Sequence, residues 1–176
     1  MHLETLNLEN NRIAKFSGID SLKSLRNINL SNNLIDVLGF IPAFSRVPLR
    51  LTQLEVVNLS HNQIKAIMPD FFNNSPNIMH LNVSHNRLTR VEFVEVLLNL
   101  ATLDLSHNKI EHFNPQSIFK HLEELYLSDN EVTELPYFAF NFPDLTILNL
   151  DNNFITNEFS LLQAIGGSES LVELLF

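Results

Sequence analysis

The chain has no cysteine among its 176 residues. Internal disulfides, thiolate metal sites and cysteine nucleophiles are therefore excluded. Glycine and proline are sparse, at 4 and 7 residues, and no low-complexity run occurs, which argues against a fibrous or disordered chain. No apolar stretch approaches the ~20 residues of a membrane-spanning helix, so direct insertion of this segment into a bilayer is not expected. The pattern begins at once with Met1-His2-Leu3, so no signal peptide is expected either. The usual catalytic signatures are missing: no phosphate-cradling glycine loop, no His-Glu-x-x-His and no Gly-x-Ser-x-Gly. We expect no enzymatic activity, no cofactor and no metal site. Basic residues are scarce in one half only. Residues 1–90 hold 9 basic and 6 acidic side chains, net +3, whereas residues 91–176 hold 2 basic (Lys109, Lys120) and 14 acidic, net −12, which makes −9 for the chain. Such a surface disfavours nucleic acid and anionic membrane and favours a basic partner.

What the chain does contain is one phrase, written seven times. It reads Leu3-x-x-Leu6-x-Leu8-x-x-Asn11-x-Ile13 first, and it returns at Leu25, Leu54, Ile78, Leu100, Leu122 and Leu145, with a shortened eighth copy from Leu171. Successive starts lie 22 to 29 residues apart. The alternation around Leu6 and Leu8 is that of a half-buried strand, with Asn7 pointing outward between them. One repeat cannot bury its own leucines, so neighbours must stack in parallel, about 4.8 Å apart, and stability is a sum of neighbour interfaces. The predicted fold is an α/β solenoid: a right-handed arc, one domain over 1–176, with a parallel sheet on its concave face. Bulkier return legs, irregular or in short helical turns, form the convex side.

The asparagines Asn11, Asn33, Asn62, Asn86, Asn108, Asn130 and Asn153 fall where the chain leaves the sheet. An amide there donates and accepts, and it satisfies backbone groups of its own and the adjacent turn. The return legs carry Phe16, Phe71, Phe72, Phe113, Phe119, Phe138, Phe140 and Phe142, expected to form an aromatic spine behind the sheet. Two legs run long. The insertion at 37–52 contains Pro42 and Pro48, which exclude a regular helix. Its Phe40, Ile41, Phe44 and Val47 suit either extra core or a docking loop. The other runs from Asn157 to Ser170, where Leu161–Ile165 before Gly166-Gly167 reads as a short helix with a glycine stop.

These phrases resemble those of the leucine-rich repeat superfamily. Leu3–Lys23 resembles the 22-residue type found in intracellular phosphatase-regulatory solenoids. Leu54–Asn77 and Leu122–Asp144 resemble the 23–24-residue type typical of Toll-like receptors and insect cell-surface proteins, with Phe72 and Phe140 preceding the next strand. The wording Leu-Ser-His-Asn at Leu59–Asn62 and Leu105–Asn108 is common in that second group. The resemblance implies a non-catalytic scaffold that binds another protein through its concave face, in an extracellular or cell-surface ectodomain. An intracellular scaffold docking an enzyme or a cytoskeletal partner is the other implication. Cysteine-rich caps, usual in extracellular members, are missing, which points to a fragment with open core at Leu3–Leu8 and Leu171–Phe176.

Register then predicts two outward columns on the concave wall: Thr5, Asn27, Val56, His80, Thr102, Glu124, Ile147, and beside it Asn7, Asn29, Asn58, Asn82, Asp104, Tyr126, Asn149. Large outward side chains without core duty are the candidate partner-binding residues: Val56, His80, Glu124, Tyr126 and Ile147, with Thr102 among them. Tyrosine is a frequent interface anchor, and Glu123, Glu124 and Asp129 are expected to surround Tyr126 with negative charge. His61, His85 and His107 share one slot in successive repeats, so they should form a ladder about 5 Å apart. Ordinary repeat wording, a pH-sensitive patch and a zinc site are the readings open for it. Sequons stand at Asn29, Asn58, Asn73 and Asn82. Asn73, in a return-leg loop, is the best glycosylation acceptor among them.

Overall fold

A computed structural model describes residues 2–16, 19, 21–39 and 50–176. Eight short parallel strands form one sheet: β1 (Thr5–Asn7), β2 (Asn27–Asn29), β4 (Val56–Asn58), β6 (His80–Asn82), β7 (Thr102–Asp104), β8 (Glu124–Tyr126), β9 (Ile147–Asn149) and β10 (Glu173–Leu175). Every pairing keeps the repeat register, so that Leu6, Ile28, Val57, Leu81, Leu103, Leu125, Leu148 and Leu174 form one row. The row points into a single core, continuous with the leucines that open and close each phrase. In the middle repeats these side chains are buried, each burial worth about 1.5–3 kcal/mol. Leu3, Leu6 and Leu8 in the first repeat and Leu171 and Leu174 in the last are half-buried. The protein is a parallel β-solenoid.

The return legs are more ordered than the sequence pattern suggests. β3 (Val37–Leu38) and β5 (Ala66–Ile67) pair in parallel, and His112 bridges to Glu134 at the same position two and three repeats further on. A second tier of strand contacts therefore lines part of the far side. A 3-10 turn spans Glu92–Val96, and α1 (Phe138–Asn141) and α2 (Glu158–Ile165) occupy later legs. The helix foreseen at Leu161–Ile165 is α2, begun three residues earlier. Gly167 closes it at φ +91°, where a side chain would be strained. Of the long insertion, Val37 and Leu38 form β3 and Leu51 is buried, while 40–49, with Phe40, Ile41, Phe44 and Val47, lie outside the described residues.

The phenylalanine spine exists, with one member exchanged. Phe16, Phe71, Phe72 and Phe93 make one run of ring contacts at 4.8–6.2 Å, and Phe113, Phe119 and Phe138 gather around Phe142 at 5.5–6.0 Å. Phe140 was expected inside and is 60% exposed, whereas Phe142 is 1% exposed. α1 makes the choice: its turn sets Phe138 and Phe142 four residues apart on one face and Phe140 on the other. Phe93, which the sequence reading passed over, is buried by the 3-10 turn.

Candidate functional site

The site is built on the asparagine ladder. Asn62 Nδ2 donates to the carbonyls of Leu59 and Ser60 in its own turn and of Leu30 in the preceding repeat, at 3.0, 3.2 and 3.0 Å. Its Oδ1 accepts the Ile35 N–H at 3.0 Å. Asn33, Asn86, Asn108, Asn130 and Asn153 repeat that set. Three acceptors share two amide protons, so the bonds are partly bifurcated, and only a planar amide supplies both the donors and the acceptor in that geometry. Asn11 differs. It is exposed and bonds only the Leu8 and Glu9 carbonyls of its own turn.

One residue before each ladder asparagine the backbone turns left-handed: Asn10, Asn32, His61, His85, His107, Asp129 and Asn152 all have φ between 52° and 58°. Asparagine, aspartate and histidine are the non-glycine residues most often found there. This explains the histidine wording: the slot selects for a residue that tolerates the conformation. The three imidazoles stack face to face, with centroids 4.0 Å apart and planes within 11° and 16°. Ring faces meet while the nitrogen lone pairs lie in the parallel planes, so the stack does not converge on a metal ion. At its end, His107 Nε2 lies 3.4 Å from Asp129 Oδ2. Burial first, then the His107 and His61 charges, lower the pKa of His85, against an opposing pull from Asp104 and Asp129.

On the open face of the sheet the two predicted columns stand in register, with Val56, His80, Thr102, Glu124 and Ile147 on adjacent rungs. The second column also has a local duty in the fold. Asn7, Asn29, Asn58, Asn82, Asp104 and Asn149 each accept the N–H of the residue two positions on, at 2.9–3.0 Å. This is an Asx turn. Tyr126 occupies the same column and cannot make that bond. Its hydroxyl instead donates to Glu124 Oε2 at 3.1 Å. Burial first, then Glu124, with smaller contributions from Asp104 and Glu173, hold the Tyr126 pKa above its ordinary value, so at neutral pH it stays a donor.

The charge around Tyr126 is thus supplied by Glu124 as expected, but not by Glu123 or Asp129. Glu123 is exposed and engages through its carbonyl, which accepts the Thr146 and Ile147 N–H groups. Asp129 faces His107 and Asn152. The acidic neighbours of Tyr126 are Glu124, Asp104 and Glu173. Glu173, two rungs from Glu124 in the same column, could have been found by counting from Leu171. Among the sequons, Asn73 is exposed, whereas Asn29, Asn58 and Asn82 have their side-chain oxygens tied into Asx turns. Apart from the sheet, a cleft of about 540 Å³ opens between the sixth and seventh return legs, lined by Thr133, Glu134, Tyr137, Thr156 and Gln163. None of the predicted residues reaches it.

Comparison with known proteins agrees with this geometry. The family models described as Leucine rich repeat match residues 52–96 and 99–120, and that for Leucine Rich repeats in two copies matches 2–43 and 120–162. The chain belongs to the leucine-rich repeat family. Among curated relatives of this repeat protein, the leucine-rich repeat serine/threonine-protein kinase 1 of Caenorhabditis elegans is 33% identical over 49% of the chain and 4% of the relative. Receptor like protein 27 of Arabidopsis thaliana is 37% identical over 41% of the chain and 9% of the relative. The repeat chain therefore spans a small part of the curated relatives it matches. Among solved structures, an internalin from Listeria monocytogenes superposes with a TM-score of 0.75 at 22% identity, over 99% of this chain and 48% of that one. Toll, solved in complex with Spatzle in Drosophila, gives 0.77 at 24%, over 99% and 23%. These similarities establish the shared solenoid.

Proposed function

We propose that residues 1–176 act as one non-catalytic recognition unit that holds another protein against the open, concave face of the sheet. One observation carries this reading: Tyr126 replaces a turn-forming asparagine or aspartate and instead donates its hydroxyl to Glu124, beside Asp104 and Glu173. A tyrosine that forgoes a local stabilising bond and stands half-buried on a wall of polar rungs is the kind of anchor enriched in interfaces. The three carboxylates favour lysine or arginine and repel phosphates, so the partner is a protein with a basic surface and not a nucleic acid. Val56, His80, Thr102 and Ile147 flank Glu124 and Tyr126 on adjacent rungs and complete the contact.

The setting we favour is a receptor or adhesion ectodomain at the cell surface. The Arabidopsis relative named as a receptor-like protein and the Toll superposition support it. An intracellular scaffold is the second reading, favoured by the relative named as a kinase. Among the described residues no helix is long and apolar enough to cross a membrane. Glycan mass spectrometry of the natural protein at Asn73 separates the two settings: a glycan there places the chain in the secretory route.

The recognition reading is tested with a fluorescein-labelled oligolysine peptide and an oligoglutamate control at neutral pH. We expect the cationic peptide to bind and the anionic one not to. Replacing Tyr126 and Glu124 by alanine together should weaken binding at least about tenfold. Unchanged binding in that double variant would remove the proposed site.

A further inference from the structure

We infer that the histidine ladder gates this acidic strip by pH, so that a basic partner held at neutral pH is released in mildly acidic solution. The inference rests on the recognition reading above. Its geometric basis is that ladder and strip share a carboxylate. Asp104, at the end of β7, is the rung partner of Tyr126 and stands three residues before the ladder residue His107, and its charge acts on both His85 and Tyr126. The groups facing His85 are His61 and His107 from the flanking turns, Asp104 from β7 and Asp129 from the next turn. His107 in turn meets Asp129. Imidazoles stacked at 4.0 Å stay together most readily while they are neutral, since like charges at that distance repel. As pH falls through the histidine range, the ladder gains positive charge along the border of the strip. That charge offsets Asp104 and Asp129 and opposes an approaching lysine or arginine.

The left-handed slot supplies a clean test. Asn10, Asn32 and Asn152 occupy the same backbone position at φ 53–58°. His61→Asn, His85→Asn and His107→Asn therefore remove every ring of the ladder while keeping a residue suited to the turn, and they leave His80 of the contact column in place in both proteins. Oligolysine binding to the full chain would be followed by fluorescence anisotropy at pH about 7.5 and about 5.5 at constant ionic strength, a window above the ordinary carboxylate range. Wild type should lose about tenfold or more in affinity on acidification. The triple variant should match wild type at the higher pH and lose less than about threefold at the lower. His85→Asn alone, the milder change, should fall between them and serves as the readout if the triple variant does not fold.

A parallel loss in wild type and variant, or no loss in wild type, overturns the gating and leaves the recognition reading intact. Absence of oligolysine binding to wild type at the higher pH overturns the recognition reading and the gating with it. Loss of the wild-type circular dichroism signal at the lower pH also overturns the gating, because release would then be unfolding.

Discussion

The inner shelf of each turn and the open face of its strand lie a few residues apart and obey opposite rules. On the shelf, six asparagines from Asn33 to Asn153 make the same four contacts, because each must satisfy backbone groups of its own turn and of the preceding one. On the open face, the first column runs from threonine through valine, histidine and glutamate to isoleucine without disturbing a single strand pairing. Bonding demand from a neighbouring repeat admits one residue type, and solvent admits many. The partner contact proposed above lies on the open face. There the departure at Tyr126 from an otherwise turn-forming column is the informative one.

Four measurements sharpen or break that contrast. The largest effect should come from the buried spine. Phe142→Ala should cost about 3–5 kcal/mol in denaturant unfolding, and Phe140→Ala, on the exposed side of the same helical turn, within about 0.5 kcal/mol. Equal effects would mean that α1 is turned differently. Next, Asn86→Ala should cost about 1–3 kcal/mol, since it strands buried carbonyls and the Ile64 N–H, while Asn11→Ala, bonded only within its own turn, should cost well under about 1 kcal/mol. A common cost for both positions would refute a shelf that works across repeats.

On the open face the sign should reverse. Tyr126→Asn restores the Asx turn and should raise stability by roughly 0.5–1 kcal/mol while weakening oligolysine binding. A variant that is both less stable and fully binding would show that the tyrosine serves the fold.

The smallest effect concerns pH. His85 has its pKa lowered in the folded chain, so the unfolded chain binds more protons below the ordinary histidine value. The His85 contribution to stability is therefore complete above about 6.5 and declines as pH falls from there toward the folded value. The melting temperature should drop between pH about 7.5 and about 5.5, and His85→Asn should reduce that drop. A drop of the same size in the variant would assign the pH dependence to other groups.

Much of this architecture was legible because the repeat forces it. Seven copies of one leucine–asparagine phrase fixed the strand positions, the in-register sheet, the ladder asparagines and both outward columns. Phe140 misled because a period read along the sequence cannot say where a short helical turn starts, and one turn decides which of Phe138, Phe140 and Phe142 goes inside. β3 and β5 were missed because two-residue strands leave no alternation to read. Of the acidic surroundings of Tyr126, Glu124 was legible in the sequence, whereas Glu123 and Asp129 were named where the rung neighbours Asp104 and Glu173 act.

By itself the sequence determined that the chain must stack, because no single repeat can bury its own leucines, and that asparagine lines the shelf, where an amide offers two N–H donors and one carbonyl acceptor together. The tertiary structure alone decided which distant residues meet. Parallel pairing sets positions more than 20 residues apart side by side, and so it brings Asp104 and Glu173 toward the tyrosine that Glu124 already accompanies on its own strand, and it lays three histidines face to face.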